Sequence, residues 1–98
     1  MQEEREEEIF NRYSILALRT MIKNGITNQI SSKTRFEIYN STFEGVTPPP
    51  IQEQSLYVKL LKMKEIGLLG NGYKVGRSKT YYVTEKGIKL YEKIKNNK

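Results

Sequence analysis

The stretch Ser55-Leu56-Tyr57-Val58-Lys59-Leu60-Leu61-Lys62-Met63-Lys64-Glu65-Ile66-Gly67-Leu68, with Gly76-Arg77-Ser78-Lys79-Thr80-Tyr81-Tyr82-Val83-Thr84-Glu85-Lys86-Gly87 eight residues later, decides the fold. In the first part, Leu56, Leu60, Met63 and Gly67 fall on one line at 100° per residue, which predicts a helix over about 50–66 with that line buried. Pro50 suits its first turn, Gly67 stops it, and Leu68 turns back onto a core. In the second part, two strands at about 69–75 and 79–83 are joined by Gly76-Arg77-Ser78. Tyr73, Val75, Tyr81 and Val83 supply the alternation of a hairpin with one buried face. Thr84 then caps a last helix from Glu85 to about Lys95, whose buried line is Ile88, Tyr91 and Ile94.

Upstream, residues 3–24 read as a long first helix, with Gly25 just past its end. Ile9, Tyr13, Leu16 and Thr20 form one stripe, widened by Phe10, Ala17 and Met21. Ile15, Leu18 and Ile22 form a second stripe nearly opposite. A helix apolar on two faces is usually covered on two faces, and in so small a protein the second cover can be another copy of the chain. The second stripe is therefore the expected interface of a homodimer. The segment Ile26–Ser31 reads as a short strand with Ile26 and Ile30 on one side. Ser32 is the expected cap of a helix containing Phe36, Ile38, Tyr39 and Phe43, and Gly45-Val46-Thr47-Pro48-Pro49-Pro50 breaks the chain before the next helix.

A length of 98 residues fits one domain, 1–98, with an acidic helix start at 1–8 and a frayed tail at 96–98. The architecture is α+β: a three-helix core, a two-stranded hairpin and a C-terminal helix. There is no cysteine, which excludes a disulfide scaffold or thiol catalysis, and no histidine, which removes the commonest general base and metal ligand. The glutamates are scattered without a metal-ligand pattern, so neither an enzyme nor a cofactor is expected. No apolar run approaches the roughly 18 residues of a membrane span, and no signal peptide is evident; a soluble, cytoplasmic protein is expected.

The formal net charge is +6, but its distribution is uneven. Five glutamates and a single arginine sit in residues 1–8, whereas residues 59–98 carry eleven basic residues and three glutamates. A basic C-terminal half points to a polyanionic partner, most often nucleic acid.

The order helix, short strand, helix, helix, hairpin, helix is that of a winged helix-turn-helix. Ser55-Leu56-Tyr57 with the leucine line ending in Gly67-Leu68 resembles the recognition helix of PadR-like regulators. Gly76 to Gly87 is similar to the wing and following helix start of the PadR and MarR families, and Phe36-Glu37-Ile38-Tyr39 to the aromatic start of the PadR second helix. Small winged-helix proteins of archaea and their viruses are similar in size and composition. Val58 and Met63 stand where such families often place Arg and Leu. The resemblance implies a sequence-specific, double-stranded DNA-binding transcription regulator acting as a homodimer. It also implies, by family analogy alone, a small aromatic effector, for which no polar constellation is visible in the chain.

In that arrangement Gln54 and Val58 are placed to read bases in the major groove, as Gln pairs with adenine and Val meets a thymine methyl. Ser55, Lys59 and Lys62 on one flank, with Tyr57 and Lys64 on the other, suit phosphate oxygens. Lys74, Arg77 and Lys79 form a basic hairpin tip for the adjacent minor groove or backbone. Two other readings stand beside this one. In the first, the domain binds another protein through Val58 and Leu61. In the second, it is a sequence-neutral architectural DNA binder.

Overall fold

The computed structural model describes residues 11–96. Within them lie four helices and one three-stranded antiparallel sheet: α1 (Arg12–Lys23), β1 (Lys33–Thr34), α2 (Arg35–Thr42), α3 (Glu53–Glu65), β2 (Leu69–Asn71), β3 (Thr80–Val83) and α4 (Glu85–Asn96). The strand order is β1-β3-β2. The acidic start, Ile9, Phe10 and the last two residues lie outside the described residues. No described helix is long and apolar enough to cross a membrane.

The N-terminus of α1 is satisfied by Asn11, whose side-chain oxygen accepts from the Tyr13 and Ser14 N–H groups at 3.0 Å. Its other end closes at Gly25 (φ +72), where the Ile26 N–H reaches back to the Met21 carbonyl at 2.9 Å. The end of α3 repeats this device: Gly67 has φ +88, and Leu68 donates to the Met63 carbonyl at 2.9 Å. Both turns need a left-handed residue, and both return an apolar side chain, Ile26 and Leu68, to the core.

The buried face of α1 is centred on Ser14, Ala17, Leu18 and Met21. This corrects the two-stripe reading. Leu18 is fully buried within its own chain, not part of an outer stripe, because α2, α3, α4 and β3 all pack against this helix. Ile22 is half-buried against the same core, and Ile15 is half-exposed. Of the three residues expected at a dimer interface, Leu18 is therefore unavailable.

The segment 26–31 is a turn instead of a strand. Asn28 accepts from the Ser31 N–H at 2.9 Å, and the Ser31 hydroxyl oxygen accepts from the Thr27 N–H at 3.2 Å. These local bonds compete with a ladder and turn Ile30 out to solvent, whereas Ile26 is buried. The pairing strand lies later, at Lys33–Thr34 opposite Tyr81 and Thr80. Likewise Thr34, not Ser32, caps α2. Its hydroxyl oxygen accepts from the Glu37 N–H at 3.3 Å, while the Glu37 carboxylate accepts from the Thr34 N–H at 3.0 Å. That second bond holds the Glu37 carboxyl below its ordinary value. Ser32 is engaged elsewhere, 2.8 Å from the Thr80 hydroxyl. Thr34→Ala should cost about 1 kcal/mol in a urea melt, the usual worth of such a cap.

The line Leu56, Leu60 and Met63 is fully buried, as expected, and packs with Ile38, Leu68, Leu69, Tyr81 and Val83. The helix starts at Glu53, three residues after the prolines. The hairpin ladder runs only from Leu69↔Val83 to Asn71↔Tyr81. Beyond it the Thr80 carbonyl accepts from both the Asn71 side chain and the Gly72 N–H, which ends the alternation. Tyr73 and Val75 are consequently exposed, against the expectation that they share the buried face of Tyr81 and Val83. A single bridge, Val75↔Ser78, closes the tip around Gly76-Arg77.

Thr84 ties the end of α3 to the start of α4. Its oxygen accepts from the Gly87 N–H at 3.2 Å, and its hydroxyl donates to the Gly67 carbonyl at 2.6 Å. Gly87 lies so close to this turn that a Cβ there would come within 2.4 Å of the Leu68 carbonyl oxygen.

Candidate nucleic-acid interface

With Leu56, Leu60 and Met63 inward, helical geometry puts Gln54, Val58 and Leu61 on the opposite side of α3. The structure bears this placement out. Gln54 and Ser55 are exposed, and Val58 and Leu61 keep 43% and 39% of their surface open. Lys59 and Lys62 are half-exposed on the flank shared with Ser55. The other flank, carrying Tyr57, faces the β2–β3 hairpin.

At that hairpin Lys74, Arg77 and Lys79 are all exposed. The described residues offer neither Arg77 nor Lys79 a carboxylate partner. Between Tyr57 and the hairpin tip runs a groove of about 320 Å³, walled by Tyr57, by Arg77, Ser78 and Lys79, and by Arg35 and Phe36 from the first turn of α2. Of the expected site residues, the groove thus brings together Tyr57, Arg77 and Lys79. Gln54 and Val58 lie outside it on the outer face of α3, Ser55, Lys59 and Lys62 occupy the far flank, and Lys74 stands on the hairpin away from the groove wall.

Arg35 is the residue that sequence reasoning missed. Its Nε lies 2.9 Å from Glu53 Oε2, and its guanidinium carbon sits 4.0 Å from the Tyr57 ring centre and 4.9 Å from that of Phe36. Tyr57 in turn meets Tyr81 edge to face, with centroids 6.5 Å apart. Hydrogen bonding with the Tyr81 phenol, followed by the Arg35 guanidinium, pulls the Tyr57 phenol below its ordinary value. Burial, and then Tyr57, pushes Tyr81 up to about 12. The positive charge of the groove is carried by Arg35, Arg77 and Lys79. A signal for Arg35 did exist in the chain: Thr34-x-x-Glu37 is a capping box, which places residue 35 in the first turn of a helix.

The groove can bind anions, and the outer face of α3 can offer one amide and two apolar side chains to a partner. No cluster of three metal-ligating residues exists among the described residues. Comparisons of the chain with protein-family models, with curated proteins and with solved structures find no match.

Proposed function

We propose that this chain is a winged-helix protein that binds double-stranded DNA and regulates transcription, with α3 in the major groove and the β2–β3 hairpin as the wing. One observation carries the reading: a basic hairpin tip, whose Arg77 and Lys79 have no carboxylate partner among the described residues, faces the Tyr57 flank of α3 across one groove, beside the exposed outer face of the same helix. A helix reading bases next to a cationic loop on the backbone is the division of labour that sequence-specific binding requires. The resemblance of residues 55–68 and 76–87 to PadR-like and MarR-like regulators supports the same reading. No catalytic step belongs to it.

Fluorescence anisotropy with random duplex DNA at two salt concentrations, followed by selection of a preferred site from a random pool, tests the proposal. Gln54→Ala should then relax preference at one base position, losing about 1–3 kcal/mol of discrimination there. A uniform loss over all sequences would remove Gln54 from base readout.

Val58 and Leu61 favour a second reading, in which α3 docks onto another protein. They put two exposed aliphatic side chains together on the outer face of α3, an apolar pair that suits a protein surface. Absence of duplex binding at low salt would select this alternative. Binding without any sequence preference would instead make the protein an architectural DNA binder.

A further inference from the structure

We infer that the groove between Arg35, Tyr57 and the hairpin tip is a preformed oxyanion site for a phosphate group, with Arg35 as its fixed donor and Arg77 and Lys79 closing over the anion. Arg35 is held on three sides. Glu53 engages Nε at 2.9 Å, and the rings of Tyr57 and Phe36 cover the guanidinium. The guanidinium carries five N–H donors, and those not directed at Glu53 or the Tyr57 phenol remain to meet phosphate oxygens. The side chain still exposes 29% of its surface, and it lines the groove that Arg77 and Lys79 flank.

The charge supports the same conclusion. Three cations converge there, while Glu53 is the one carboxylate paired with any of them among the described residues, so two positive charges stay uncompensated. Such an excess is unfavourable in an empty groove and favourable around an anion. The Ser78 and Thr34 residues in the wall add polar lining. Preorganisation matters here because the fixed guanidinium has already lost its rotamer freedom before the ligand arrives.

A phosphodiester of the DNA backbone and a free phosphorylated small molecule offer the same chemistry to this site. The first source rests on the DNA-binding reading above; the second does not. The test uses the full chain with three variants: Arg35→Gln, Arg35→Lys, and the double variant Arg35→Gln/Glu53→Gln, which spares a half-buried carboxylate from losing its partner. Circular dichroism establishes which of them fold. Duplex affinity is read by anisotropy, including duplexes in which one phosphate at a time is a neutral methylphosphonate. Inorganic phosphate and a 5′-mononucleotide are titrated separately, with nuclear magnetic resonance following the Ser78 amide and the Arg35 side chain.

If the source is DNA, loss of Arg35 weakens duplex binding about tenfold at low salt, lowers the log–log salt slope by about 0.9, and leaves sequence order unchanged. Neutralising one particular phosphate then weakens the wild type but not Arg35→Gln, and Arg35→Lys recovers only the salt slope. If the source is a free phosphate, inorganic phosphate or the mononucleotide saturates the groove signals in the wild type and fails to do so without Arg35. A wild type that binds no duplex but titrates with phosphate keeps the site and ends the DNA reading. Duplex binding that is indifferent to Arg35, with no response to phosphate, ends the site and keeps the DNA reading.

Discussion

Leu18→Lys should unfold the domain at every protein concentration instead of splitting a dimer into folded monomers. Leu18 has no exposed surface and sits among Ala17, Met21 and the buried residues of neighbouring elements. A lysine there must either bury its ammonium without a partner or distort the core to reach water. Either outcome costs more than about 4 kcal/mol, most of the stability that a small domain commonly has. Ile15→Lys, one turn earlier at a half-exposed position, provides the contrast and should shift stability by less than about 1 kcal/mol. Thermal melts by circular dichroism alongside sedimentation separate the two cases. A Leu18→Lys protein that folds and sediments as a smaller particle would restore Leu18 to an interface between copies.

Replacing Lys74, Arg77 and Lys79 together by glutamine should reduce duplex affinity about three thousandfold near 50 mM salt. Each phosphate neutralised contributes about 0.9 to the salt slope, so three contacts contribute about 2.7. Relative to 1 M salt, one such contact is worth about fifteenfold at 50 mM, and three multiply to roughly three thousandfold. All three side chains are exposed, and none belongs to the core. The melting temperature should therefore stay within a few degrees of the wild type, as should the order of preferred sequences. Retention of affinity within a few-fold would take the hairpin off the DNA backbone.

What could be read in the chain was what one element reveals about itself. The spacing of Leu56, Leu60 and Met63, with Gly67 and Leu68 behind it, gives the inner and outer faces of α3 by arithmetic alone. Tyr81 and Val83 were legible because strand alternation holds wherever a ladder is intact; it fails at Tyr73 and Val75, where Thr80 draws Asn71 and Gly72 out of register. Leu18 was misplaced because the wheel was centred on large apolar side chains. The structure centres it on Ser14 and Ala17, small residues across which other elements approach, and hydrophobicity does not register closeness of approach. For Arg35 the Thr34-x-x-Glu37 box discloses a place in the first turn of a helix but not a role in the groove. The partners of Arg35 are Glu53, Tyr57 and the hairpin tip, brought together only when three separate elements pack, and no local pattern ties residue 35 to residues 53, 57 and 77–79.

The strand that arrives last in the chain occupies the middle of the sheet. β1 and β2 do not pair with each other; each is paired only to β3, and the Ile26 carbonyl waits for the N–H of Val83. Residue 33 therefore has no strand partner until residue 81 exists. A nascent chain can form its helices early, yet the closing of the core and the positioning of the basic tip occur in one late event. Such non-local closure is slow compared with helix formation. It also means that a chain interrupted before residue 80 presents neither a finished core nor a groove, so the protein acquires its charged surface and its stability in the same step.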